Sequence, residues 1–184
     1  PGYSQQSHVR YWITTGDRSQ LLKEQTTPIR FAGAAKNPDA IVVDASKKFQ
    51  DIDGFGFALT GGSAQHIIHM DPAARKKLLQ EVFGRKPSDI SVSYLRVSIG
   101  ASDLNERVFT YDDMPEGETD GGLKHFDLQD DKKDVIPVLK EILTVNPSIK
   151  ILGSPWSAPA WMKTNGRMKG GSLKNEYYAV YAEY

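Results

Sequence analysis

From Phe49 onward the chain alternates between strand-like and helix-like stretches, and this alternation constrains the fold more than any other feature. "FQDIDGFGFAL" predicts a strand running into glycines. "DPAARKKLLQEVFG" then predicts a helix with Asp71 as N-cap, Pro72 at the first helical position and Gly84 as stop. "DISVSYLRVSIG" and "DKKDVIPVLKEILTVNP" form the second pair, the helix ending at Asn146-Pro147. "SIKILGS" is the third strand, and "NEYYAVYAEY" opens a third helix with Tyr177, Tyr181 and Tyr184 at helical spacing. Such repetition implies an α/β fold with a parallel sheet. Half of an open doubly wound sheet and the first part of an eight-stranded barrel both fit this local pattern. The last helix stops with no glycine, proline or cap, as expected of a chain that breaks off mid-pattern. Residues before Phe49 read differently: "HVRYWITT", "PIRFAG" and "AIVVDAS" are short β-like runs in an irregular setting.

Composition narrows the function classes. Of 184 residues, 23 are Lys or Arg and 23 Asp or Glu, with the basic residues scattered rather than striped, which argues against nucleic acid as a partner. No apolar run approaches the roughly 18 residues of a membrane span. With no cysteine, disulfides, zinc thiolates and a cysteine nucleophile are all excluded.

In either α/β architecture ligands meet the carboxyl ends of the strands, so the loops that follow strands carry the information. Here these are "GFGFALTGGS", "GASDLNER" and "GSPWSAPAWMKTNG", whereas the opposite loops "GRKPSD" and "NPS" are short. In the second strand Leu95, Val97 and Ile99 are expected to face the helices, which turns Tyr94, Arg96 and Ser98 the other way. A guanidinium on that face calls for a carboxylate partner, either to fix packing or to serve a site. Asp103 is a turn or cap residue, or a carboxylate that accepts two sugar hydroxyls at once. Trp156 either plugs the end of the core or lays its indole face on a sugar while its N–H donates to a hydroxyl. Trp161, deeper in the same proline-stiffened loop, reads as core.

Other motifs fail. "GFGFAL" puts Leu59 where a dinucleotide fingerprint needs a small residue, and no phosphate loop or G-x-S-x-G elbow occurs. His66 and His69 lack the glutamate and spacing of a zinc helix. The acidic run "YDDMPEGETDGG" is expected to solvate a long loop or to rim a site.

Taken together, "DGFGFALTGGSA", "YLRVSIGASDLN", "FTYDDMP", "KHFDL", "ILGSPWSAPAWMKTNGRMKGGSLK" and "YYAVYAEY" resemble, in order, the N-terminal half of glycoside hydrolase family 30. This resemblance implies the first three βα units of a (β/α)₈ TIM barrel over residues 49–184. It also implies that residues 1–48 are a β segment of a small side β-domain. It implies hydrolysis of β-glucosidic bonds with retention of configuration and no cofactor. The substrate would be a β-linked glucan, β-1,6-glucan first, with glucosylceramide or another β-glucoside or β-xyloside as the alternative. Family members use two glutamates roughly 5–5.5 Å apart, after strands four and seven, which places both beyond Tyr184. Glu106 and Glu176 match neither, so the catalytic pair is expected outside this chain. Asp103 and Trp156 match positions that bind glucose beside the cleaved bond, and Arg96 matches an arginine supporting the catalytic carboxylates. Thr60-Gly61-Gly62 departs from the lysosomal members, which carry an acidic residue after that threonine, and makes a ceramide-linked substrate less secure. The remainder of the barrel is then a necessary partner, and a secreted or periplasmic location is expected. The reading from another class is a non-catalytic carbohydrate-binding or structural fragment.

Overall fold

A computed structural model of the chain describes residues 8–27, 29–30 and 44–184. It divides into two compact units, residues 1–50 and 51–184. In the first unit, β1 (His8–Val9) pairs antiparallel with β4 (Ile29–Arg30), and β2 (Trp12–Ile13) with β3 (Lys23–Glu24). The β2–β3 turn is held by Ser19, whose backbone N–H donates to the Asp17 carboxylate at 3.1 Å. Most of the expected strand "AIVVDAS" lies outside the described residues.

The second unit is built on a parallel sheet in the order β5 (Gly56–Leu59), β6 (Tyr94–Ile99), β7 (Lys150–Pro155). Each crossover carries helix: α1 (Gly61–Ile68) and α2 (Pro72–Phe83) between β5 and β6, α3 (Val135–Val145) between β6 and β7. The α2 signals act as the sequence predicts. Asp71 accepts hydrogen bonds from the N–H groups of Ala73 and Ala74, each at 3.0 Å, and Gly84 closes the helix. On α3, Val135, Val138 and Ile142 recur at helical spacing and are all buried. They meet Leu79 and Phe83 of α2, Ala64 of α1, and Leu59 and Leu95 of the sheet in one core. Each of the Val, Leu, Ile and Phe side chains contributes about 1.5–3 kcal/mol when fully buried.

Two elements differ from the expectation. The stretch after β5 is not a loop, because Thr60 caps a helix there by accepting from Ser63 N–H at 3.2 Å. The double glycine that argues against helix locally is what packing demands. A Cβ on Gly61 would stand 2.0 Å from Asn105 Nδ2, and one on Gly62 2.2 Å from the Leu104 carbonyl. The third helix is short: a 3₁₀ turn (Asn175–Tyr177) leads into α4 (Tyr178–Glu183).

Candidate functional site

Side-chain alternation divides β6 into the two predicted faces: Leu95 and Val97 join the helix-facing core, Ile99 packs instead on Ala101, Phe109 and Tyr111 of the following loop, and Tyr94, Arg96 and Ser98 alternate with them. Ile99 pairs in register with Pro155, so β6 and β7 end level and release their loops at the same end of the sheet. Trp156 follows at once, half exposed. The Arg96 guanidinium lies 5.8 Å from the indole centroid, within cation–π range, and Nη2 donates to Ser154 Oγ at 3.4 Å. The expected carboxylate partner is absent among the described residues. The guanidinium is only half-buried, so water, an indole face and a hydroxyl solvate it in place of a counterion.

Asp103 sits at the tip of the turn after β6, and other residues make that turn. Asn105 Oδ1 accepts from Ser102 N–H at 2.9 Å, and Ser102 Oγ accepts from Leu104 N–H at 3.2 Å. The Asp103 carboxylate is exposed and contributes none of these bonds. Gly100 makes the turn possible, with φ +78° and its neighbour Ala101 N–H bonded to Phe109 O at 3.0 Å.

The strand-three loop splits its tryptophans between two tasks. Trp161 is buried, as expected of a core residue: its Nε1 donates to Asp112 O at 2.8 Å, and it packs edge-on against Tyr177 at 4.9 Å. Lys163 is buried beside it, donating to Met168 O at 2.6 Å and Ser157 Oγ at 3.0 Å, and burial pushes its ammonium below the usual lysine range. These bonds fold the loop back on itself, and Trp156 at its start stays at the surface.

The acidic run is not simply a solvated loop. Tyr111, Asp112 and Asp120 are all buried. Burial pushes the Asp112 carboxyl up to about 6, with the nearby Asp120 and Asp113 charges adding and His125 opposing. Neither Asp112 oxygen has a hydrogen-bond partner among the described residues. Asp120 accepts from His125 N–H at 2.7 Å and contacts its ring at 2.9 Å. Tyr111 Oη donates to buried Asp131 at 2.5 Å, and its backbone N–H donates to Tyr184 Oη at 2.9 Å. Sequence reasoning missed these groups. The alternation of Phe109 and Tyr111, both buried, was the available signal that the run packs against a core.

Glu106 accepts from Gln65 Nε2 of α1 at 3.0 Å, while Glu176 lies exposed in the 3₁₀ turn before α4. His69 Nδ1 bonds to Gln65 O at 2.7 Å, and no group of three metal-ligating side chains forms among the described residues.

The profile of the glycosyl hydrolase family 30 TIM-barrel domain matches residues 52–184. Lysosomal acid glucosylceramidase of Mus musculus is 35% identical over 151 residues, 78% of this chain and 28% of that protein. The endo-1,6-β-D-glucanase of Aspergillus fumigatus is 33% identical over 159 residues, 84% of this chain and 32% of that protein. Among solved structures, an endo-β-1,6-glucanase superposes with a TM-score of 0.71 at 32% identity, covering 96% of this chain and 37% of its own. The chain thus spans about a third or less of the length of these relatives.

Proposed function

The chain belongs to glycosyl hydrolase family 30, and from that premise we propose that the protein is a retaining β-glycoside hydrolase acting on β-1,6-linked glucan. In this reading residues 49–184 are the first three βα units of an eight-stranded barrel, and residues 1–48 belong to a side β-domain. The rest of the barrel supplies two carboxyl groups, one to protonate the leaving oxygen and one to attack the sugar. The part of this chain is binding. Asp103 accepts hydrogen bonds from glucose hydroxyls, the Trp156 indole covers the apolar face of the ring, and Arg96 braces that indole from below. The single observation that carries the reading is the Arg96–Trp156 contact, which ties β6 to the loop after β7 at the carboxyl end of the sheet.

Glucosylceramide is the second reading, favoured by the mouse relative. Against it stands Gly61, packed so closely on the Asn105 amide that an acidic side chain there would displace it from its hydrogen bond with Ser102 N–H. A secreted or periplasmic location fits a polymeric substrate.

The test is to incubate the full-length enzyme with β-1,6-glucan, glucosylceramide and an aryl β-xyloside, following the anomer first released by NMR. Fastest turnover of the glucan with the β-anomer released first is expected, and Asp103→Ala should abolish most of it. Release of the α-anomer would refute retention, and no turnover of any substrate would favour a non-catalytic carbohydrate-binding role.

A further inference from the structure

A concavity opens beside the loop that carries Asp103. It is a cavity of about 400 Å³ between α1, the loop after β6 and the start of α3, within the roughly 300–1,000 Å³ range of small-molecule sites. Its position follows from the topology. α1 begins directly after β5, and the β6 loop follows the same end of the sheet, so both walls of the cleft start at the end that carries Asp103 and Trp156.

The lining selects a class of ligand. Three carboxylates (Glu106, Asp130, Asp134) face two cations (Arg107, Lys133), which disfavours a phosphate or other anion. An apolar ligand finds little to rest on, because Phe109 is 2% exposed and lies under the Arg107 guanidinium at 4.7 Å. What remains is a surface that alternates strong acceptors with strong donors, the complement of a hydroxyl-rich neutral molecule.

The polar groups are also held in place. Glu106 is fixed by Gln65, Arg107 by Asp130 at 2.5 Å, Lys133 by Asp130 at 2.9 Å, and Asn105 by Ser102. Each keeps hydrogen-bonding capacity in reserve: Glu106 its second oxygen, Lys133 two of its three N–H donors. Side chains already ordered lose little entropy when a ligand arrives.

We infer that this cleft is an accessory subsite for a distal sugar unit of the polymeric substrate. The inference rests on the proposed hydrolase activity. A polymer long enough to reach from Trp156 to Glu106 engages both sites, whereas a single glycoside engages only the first. Loss of the cleft therefore raises KM for polymer selectively.

The experiment compares full-length wild type with Glu106→Ala and Lys133→Ala, two exposed positions, on β-1,6-glucan and on an aryl β-glucoside. Loss of one charge-assisted hydrogen bond predicts a KM for polymer about tenfold higher in each variant. Values for the aryl glucoside should stay at wild type. Unchanged polymer kinetics, or equal losses on both substrates, would overturn the inference. If wild type hydrolyses neither substrate, the activity proposal fails instead. The cleft is then judged by calorimetric titration with a β-1,6-linked glucotetraose: affinity about tenfold weaker in both variants supports it, and absence of binding or unchanged affinity refutes it.

Discussion

Replacing Asp112 with asparagine should stabilise the full-length protein near pH 7.5 and leave it unchanged near pH 4. The side chain is fully buried, and neither of its oxygens has a hydrogen-bond partner among the described residues. Its carboxyl is pushed up to about 6 in the folded state, against about 3.9 in an unfolded chain. Between those two values the native state holds a proton that the unfolded state has released, so stability falls as pH rises across the window. Above about pH 6 the loss is complete. About two units at 1.36 kcal/mol each make it roughly 3 kcal/mol. Asparagine mimics the protonated acid, being neutral and of the same shape, so near pH 4 the two proteins should unfold alike. Near pH 7.5 the variant should gain about 2–3 kcal/mol. Urea unfolding of both proteins at the two pH values measures this directly. Identical pH dependence in wild type and variant, or a variant weaker near pH 7.5, would show that Asp112 is solvated or paired when ionised and would refute the reasoning.

Trp156→Ala should lower kcat/KM for β-glucosides by about ten- to a hundredfold, the scale of about 1–3 kcal/mol for an aromatic contact with its hydrogen bond. Thermal stability should hardly change, because the indole is half exposed; steady-state kinetics beside a melting curve separate the two effects. Lys163→Met keeps the stem but leaves the half-buried Met168 carbonyl with Ser157 Oγ as its donor, at a cost of about 1 kcal/mol for the lost ammonium hydrogen bond. Amide hydrogen exchange should then accelerate across residues 157–173, and unchanged protection would count against the clamp. Arg75 donates to Glu141 of α3 at 3.0 Å and to the Ile68 carbonyl at 2.8 Å. Arg75→Ala should destabilise by about 2 kcal/mol in denaturant titration, below the range for a fully buried pair because Glu141 is partly exposed. A change under about 0.5 kcal/mol would place the pair among ordinary surface contacts.

Sequence alone determined whatever depends on neighbouring residues. The α2 boundaries were legible because Asp71, Pro72 and Gly84 act on the backbone beside them. The faces of β6 were legible because strand side chains alternate whatever lies above or below. The burial of Trp161 followed from its depth in a stiff loop. Tertiary structure decided the rest, in each case because the deciding partner is far along the chain. Gly61 and Gly62 start a helix because the β6 loop leaves no room for larger residues. Arg96 finds Trp156, sixty positions on, where a carboxylate was expected. Asp112 and Asp120 sit inside a run that reads as solvent-facing, since burial there comes from aromatic residues of separate segments. Gln65, Glu106 and Lys133 form one cleft although no local pattern joins them. Local hydrogen bonding and alternation are written in adjacent letters; contact between distant segments arises only when the sheet and helices close.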